Sequence, residues 1–415
     1  MRGKRNYVLM KSFKSYIAEA STTVHMTHIE DAVILGGVDG TRQAINALRD
    51  MRDMLGGQKA GSVSVKWDGA PTIFAGTDPA DGKFFVAKKG ILKKKPEVYK
   101  TVEDIEADSR MSGDLSSKFK DALKYLPELG IKGIIQGDFL FSRKDLKKET
   151  IEDEKYVTFH PNTLLYAIPI AQAQPLLKSK VGIVWHTSFS GTALENIKPS
   201  FGADVSSMKK TKNVWSQDAM LRDVTSVTLD TKTTELINKR LSLAGSLFNK
   251  ISGNMLREIE SNRELSQHIQ FFNNIHTKKG VAVKDTAKHV DRLVDWIQTK
   301  YQKDILALKT QSGKDKKAIK LQAILDFFSN KNKRRLKLIF DLQKLLVSIK
   351  MILIAKLNKL GSHKTFVKTA KGYKTTGAEG FVAIDHIDGG ALKLVDRLEF
   401  SYNNFSPNVI KGWVK

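Results

Sequence analysis

The chain has no cysteine among its 415 residues. Disulfides, thiolate metal sites and cysteine nucleophiles are therefore excluded, and a reducing cytoplasm is compatible with the composition. Acidic side chains are also scarce: 44 Asp and Glu stand against 69 Lys and Arg, a formal charge of +25. Such an excess favours a polyanionic partner, nucleic acid before an anionic membrane surface. No apolar run is long enough to span a bilayer, since the most apolar stretch, residues 345–360, is broken by Lys350, Lys356 and Lys359. Residues 1–7 are basic but no apolar core follows, so no secretory signal is expected. No phosphate-binding loop or dinucleotide glycine fingerprint is present, and Asp385-His386 has no accompanying serine elbow. These absences point to the cytoplasm and away from a membrane.

What the chain does contain is Lys66-Trp67-Asp68-Gly69, at the end of a strand pattern, Ser62-Val63-Ser64-Val65. Alternation puts Ser62, Ser64 and Lys66 on one face and the two valines on the other. The polar face would line a pocket with the valines packed beneath it. Gly69 permits a tight backbone turn beside a ligand. A surface hairpin turning at Asp68-Gly69 is the other reading of the same residues. A nucleophilic lysine must be a neutral amine, and an ammonium sheds its proton when desolvated or near positive charge, whereas a guanidinium does not.

Further elements follow in order. Phe84-Phe85-Val86-Ala87-Lys88-Lys89-Gly90 is a strand ending in a basic turn, and Gly133-Ile134-Ile135-Gln136-Gly137-Asp138 is an apolar strand reaching a carboxylate. Leu164-Leu165-Tyr166-Ala167-Ile168 is a third strand, with Glu379-Gly380-Phe381-Val382 and Ala391-Leu392-Lys393-Leu394 near the C-terminus. With Lys-x-Asp-Gly, this series resembles the covalent nucleotidyltransferases, the superfamily of ATP-dependent DNA ligases, RNA ligases and mRNA-capping enzymes. The resemblance implies an α+β fold, an antiparallel-sheet adenylation core. It also implies ATP and Mg2+ as cofactors. It makes Lys66 the nucleophile, with Asp68 and Lys393 beside it in the catalytic set. Lys393 would neutralise charge at the α-phosphate and the leaving pyrophosphate. Ser64, Gly69, Lys88, Asp138, Tyr166, Glu379 and Lys393 would contact the nucleotide, Tyr166 by stacking on the purine. Glu379 and Asp138 would hold the metal. The chain departs from the superfamily pattern in four places: Ala70-Pro71 stands where an arginine is usual, Lys88 replaces another arginine, Asp138 a glutamate, and Ala391 a lysine.

The chain divides into a helical segment at 1–60, a first core part at 61–230, helices at 231–362 and a second core part at 363–415. Asp39-Gly40-Thr41 opens a helix carrying Ala44, Ile45, Leu48, Met51 and Met54 on one face. Strands are expected at 62–67, 72–75, 83–88, 132–141, 164–170 and 181–186, and helices at 101–107 and 114–126. Residues 231–362 hold 27 Lys and Arg against 11 Asp and Glu, over half of the net charge in under a third of the length. Leu338, Leu342, Leu345, Ile349 and Ile352 form a helical stripe there. Read as a basic all-helical insertion, the segment would contact nucleic-acid backbone through Lys333, Arg334, Arg335 and Lys337. Only 22 residues follow Lys393, too few for the C-terminal barrel of DNA ligases and capping enzymes. Phage-type RNA ligases use a helical module instead, which favours RNA over DNA. The opening, with Met10 as an alternative start, resembles short N-termini of tailed-phage proteins.

His25, His28, Glu30 and Asp31 fit no common metal template and are expected to serve capping and surface contacts. His186, after the strand at 181–184, could touch a phosphate; structural roles are the default for it, His160 and His386. The reading is therefore an ATP-dependent polynucleotide ligase, acting on RNA or DNA ends. The alternative is a catalytically degenerate nucleic-acid-binding or phage structural protein on the same fold.

Overall fold

Alternation in Ser62–Lys66 gives this strand two unlike faces, and the whole sheet around it inherits them. The computed structural model describes residues 27–58, 62–221, 229–360, 363–384 and 391–413. His25, Asp385, His386 and the alternative start at Met10 lie outside the described residues. In the first sheet the strand order is Thr27–His28, Ala391–Leu394, Gly380–Ile384, Ser62–Lys66 and Met220–Leu221. The Thr27–His28 pairing is parallel and the others antiparallel. Val65 lies opposite Phe381, and Phe381 opposite Leu394; Val63 lies opposite Ala383, and Ala383 opposite Leu392. These six apolar side chains make one face, which packs on helices. Ser64, Val382 and Lys393 form a row on the other face, with Lys66 and Gly380 alongside.

The helices behind the sheet form one layer. Gly37–Leu55 buries Ala44, Ile45, Leu48, Met51 and Met54, the face expected from their spacing. Asn330–Leu357 is the central helix and buries Leu336, Ile339, Leu342, Leu346, Ile349, Leu353 and Leu357. Leu338, Leu345 and Ile352 of the expected stripe are only partly buried beside it. The seam runs one row over because this helix is enclosed on several sides, by Thr231–Lys250, Thr286–Ala307 and Gly37–Leu55. Thus the helices of the 231–357 stretch share a core with Gly37–Leu55 and with the sheet. Fully burying a side chain such as Leu394 or Phe381 contributes roughly 1.5–3 kcal/mol, so helices and sheet are expected to stand or fall together.

Inside this layer Lys350 is 1% exposed and gives both Oε atoms of Glu30 a hydrogen bond of 2.9 Å. Arg397 reaches Asp31 at 2.9 Å, and Gln343 donates to the Glu30 carbonyl. Burial pushes the Glu30 carboxyl up, but Lys350 and Arg397 more than offset it and hold it at about 2. Glu30 and Asp31 are therefore buried ion-pair groups and not surface or side-chain capping groups, and His28 beside them is partly buried in the strand Thr27–His28. The central helix and Arg397–Phe405 supply their partners.

The other two sheets are built around the Lys66-to-Thr72 crossover. The second has the order Lys198–Phe201, Val181–Ser190, Ile134–Ser142, Thr72–Thr77 and Phe84–Ala87, with Val214–Asp218 parallel to Val181–Ser190. The third has Gly372–Thr376, Lys364–Thr369, Leu164–Pro169, Glu154–Phe159 and Lys147–Ile151, with Val409–Ile410 on Lys364–Thr369. The fold is mixed α+β with mainly antiparallel sheets. No described helix is long and apolar enough to cross a membrane.

A candidate nucleotide cleft

Where the first sheet hands over to the second, the polar face of Ser62–Lys66 looks into a cleft of about 370 Å³. Ser64, Lys66, Asp68, Gly69, Asp138 and Glu379 all line it. Lys66 and Glu379, 313 positions apart, form a direct ion pair through Nζ and Oε1. Gly380 lies opposite Lys66 in the sheet, which delivers the preceding carboxylate to the lysine. Lys393 stands on the same sheet face, in the row with Ser64 and Val382.

Electrostatics make this a tight charge cluster. Burial draws Lys66 down, but Glu379 against it, with Asp138 and Asp68 behind, outweighs burial and holds the ammonium above its ordinary value. Burial pushes Glu379 up to about 7, against the pull of Lys66. Burial and then neighbouring Lys66 lower Lys393. The second oxygen of Glu379, Oε2, is buried and has no hydrogen-bond partner among the described residues. A buried acceptor left so is costly unless something else binds it.

Several residues take other places. Asp68 accepts from the backbone N–H of Thr163 (2.7 Å) and Leu164 (2.8 Å) and from the Asn162 amide (2.6 Å). Its carboxylate thus fastens the start of Leu164–Pro169 to the crossover. Tyr166 is 1% exposed, beneath Trp67, with its hydroxyl accepting from the Asp68 N–H. It cannot present a stacking face to the cleft without moving Trp67. Lys88 pairs with Asp108 at 3.3 Å and is not among the cleft-lining residues; the short helical turn Lys89–Leu92 brings Lys89 there instead. Lys333 and Lys337 are paired with Asp291 and Asp341, while Arg334 is exposed. These three and Arg335 all sit on Asn330–Leu357, in the helical layer that packs on the sheet face opposite Lys66.

Gly69 is demanded by contact. A Cβ there would come 2.5 Å from the Asp138 Cβ and 3.2 Å from the Phe139 carbonyl. Gly69→Ala is expected to destabilise by about 1–3 kcal/mol through overpacking. A denaturation midpoint equal to the parent's would show that the crossover has slack.

The cleft also gains residues that no motif marks. His186 lines it, Nε2 3.8 Å from Asp138 Oδ2, with Nδ1 2.8 Å from the Thr187 hydroxyl. The register jumps here, Gln136 facing Thr187 and Gly137 facing Trp185, so His186 is the extra residue of a β-bulge. Bulges re-aim side chains, and this one lets Trp185 stay fully buried while His186 turns to the cleft. Thr72, Asn162, Phe400 and Asn404 complete the wall. The bulge and the distant loops left no sequence signal beyond the polar character of His186 after an apolar run.

His363 stacks on Trp67 with centroids 4.4 Å apart, and burial lowers it to about 4. Its ordinary value is about 6.5. Below that the unfolded chain takes up a proton that the folded imidazole refuses, so this group removes stability as pH falls from about 6.5 towards 4. His363→Phe keeps the stack and loses the proton site. The drop in Tm between pH 7 and pH 5 should be smaller in the variant; equal drops would refute the assignment.

A family model matches residues 23–409, nearly the whole length described above. The chain belongs to a family of unknown function, DUF6267. No curated protein and no solved structure matches it. Within this DUF6267 chain, the cleft and its charges are the strongest indication of chemistry.

Proposed function

We propose that the chain is an ATP-dependent polynucleotide ligase that works through a lysyl-AMP on Lys66, with RNA ends preferred over DNA. One observation carries the reading: the Lys-x-Asp-Gly lysine meets Glu379 in a cleft that also holds Asp138. Lys66 Nζ would attack the α-phosphate, forming a P–N bond as pyrophosphate leaves with the electrons of the broken P–O bond. AMP then passes to a 5′-phosphate, freeing Nζ, and a 3′-hydroxyl displaces AMP.

The residues supply most of what the first step needs. Lys66 must lose one proton to become nucleophilic. Glu379, in direct contact, would be the adjacent acceptor. Lys393 stands on the same sheet face and, although it is not among the cleft-lining residues, would meet charge building up on the phosphates in this reading. The donor set also fits Mg2+, which takes few protein carboxylates together with phosphate oxygens and water. Here those are the unpartnered Oε2 of Glu379 and the Asp138 carboxylate. Among the described residues no cluster of three or more such side chains could hold a metal by itself. Mg2+ bound there would polarise the α-phosphate.

A second reading keeps the fold without the catalysis, as a nucleic-acid-binding or phage structural protein. It is favoured by the ion pair itself, which keeps Lys66 charged, and by the use of Asp68 and Tyr166 in internal hydrogen bonds. Incubation with α-labelled ATP and Mg2+, followed by denaturing electrophoresis, separates the two. Label that stays on the chain supports the ligase, and a chain that never takes label supports the binder.

A further inference from the structure

The helix Arg397–Phe405 has one face in the cleft and another in solvent. Phe400 and Asn404, four apart, line the cleft. Tyr402 and Phe405 lie on the opposite side of the helix and are 45% and 60% exposed. Lys278 holds its ammonium 4.5 Å from the Phe405 ring centroid, and the turn at Gly280 packs against Tyr402. Phe271, 52% exposed, is seven positions before Lys278 on the same helix face. Isolated exposed apolar residues need no explanation, but aromatic rings grouped with a lysine do.

We propose that Phe405 and Tyr402, with Lys278, form a stacking platform for single-stranded nucleic acid on the solvent face of the helix whose other face walls the cleft. This takes the polynucleotide partner from the reading above and gives it a place and a strandedness. The occupant follows from charge and shape. Exposed rings stack on open base faces, and lysine beside them meets the phosphates. A duplex hides its base faces except at its ends. The chain's charge of +25 suits a polyanion, and the platform shares its helix with two cleft-lining residues. The basic residues at Lys333–Lys337 lie on a different helix and are not part of this platform.

The test is fluorescence anisotropy of the full chain with short labelled single strands of RNA and DNA and with the matching duplex, over a range of salt. Phe405→Ala is expected to weaken single-strand binding about tenfold, with Phe405→Trp restoring it. Lys278→Gln should reduce the log–log salt slope by about 0.7, one phosphate contact on a single strand. Replacing Lys333, Arg334, Arg335 and Lys337 by Ser should change single-strand affinity less than Phe405→Ala does. The proposal is overturned if the parent binds no single strand at low salt, or if Phe405→Ala binds as the parent does. It is also overturned if Phe405→Ala weakens duplex and single strand equally. Labelling by ATP is followed in parallel. If labelling fails while Phe405→Ala still weakens strand binding, the ligase reading falls and the platform stands.

Discussion

Lys66→Ala is expected to take no label from α-labelled ATP, because the side chain proposed to form the P–N bond is gone. Loss of a covalent nucleophile typically removes on the order of 10⁴-fold or more of an enzyme's rate. Alanine also strips Glu379 of its ion partner, so a fold defect could produce the same result. Lys66→Arg closes that gap. A guanidinium can still pair with Glu379, yet it is not deprotonated in proteins and cannot attack phosphorus. The arginine variant should melt near the parent and remain unlabelled. Labelling of Lys66→Arg at the parental level would move the nucleophile elsewhere, with Lys393 the first residue to examine.

The second large effect lies in the buried pair of Lys350 and Glu30. Lys350→Met removes the ammonium that faces both oxygens of Glu30 and leaves a buried carboxylate with Arg397 as its remaining cation. Breaking a buried pair from one side costs about 3–5 kcal/mol, because the remaining charge loses its counterion. A fall in Tm of several degrees is expected. Glu30→Gln combined with Lys350→Met takes away both charges and should recover a large part of the loss. A single variant as stable as the parent would mean that Arg397 alone satisfies Glu30.

Sheet geometry explains what could be read in advance. Strands marked by alternation, such as Ser62–Lys66, or by a short apolar run, such as Thr72–Thr77, were legible, as was the helix with Ala44, Leu48 and Met51 on one face. Hairpins with polar outer residues were not: Lys147–Ile151 and Gly372–Thr376 carry no strand expectation, because edge strands carry lysine and threonine where central strands carry valine. The lysine and glutamate of the cleft could be named because each sits in a short motif. Tyr166 could be named but not placed, since a strand buried on both faces does not show which ring reaches the ligand. Lys88 and Lys89 differ by one position, and a single helical turn decides which of them enters the cleft. His186 depends on a bulge, which no residue pattern in one sequence reveals.

The pairing of Ser62–Lys66 with Gly380–Ile384 has a consequence for how the molecule is made. During synthesis the lysine strand leaves the ribosome 313 residues ahead of Glu379. At about 5–20 residues per second, that interval is roughly 15–60 s. Throughout it the Val63 and Val65 face has no Phe381 or Ala383 beside it, and the central helix lacks part of the surface it packs on. A nascent chain of this protein therefore carries its lysine long before it carries the carboxylate that sits against it. Ribosome-bound or prematurely terminated fragments ending before residue 379 should be unable to modify themselves, however much ATP the cell contains. They should also expose an unfinished strand edge, which makes them targets for chaperones and proteases.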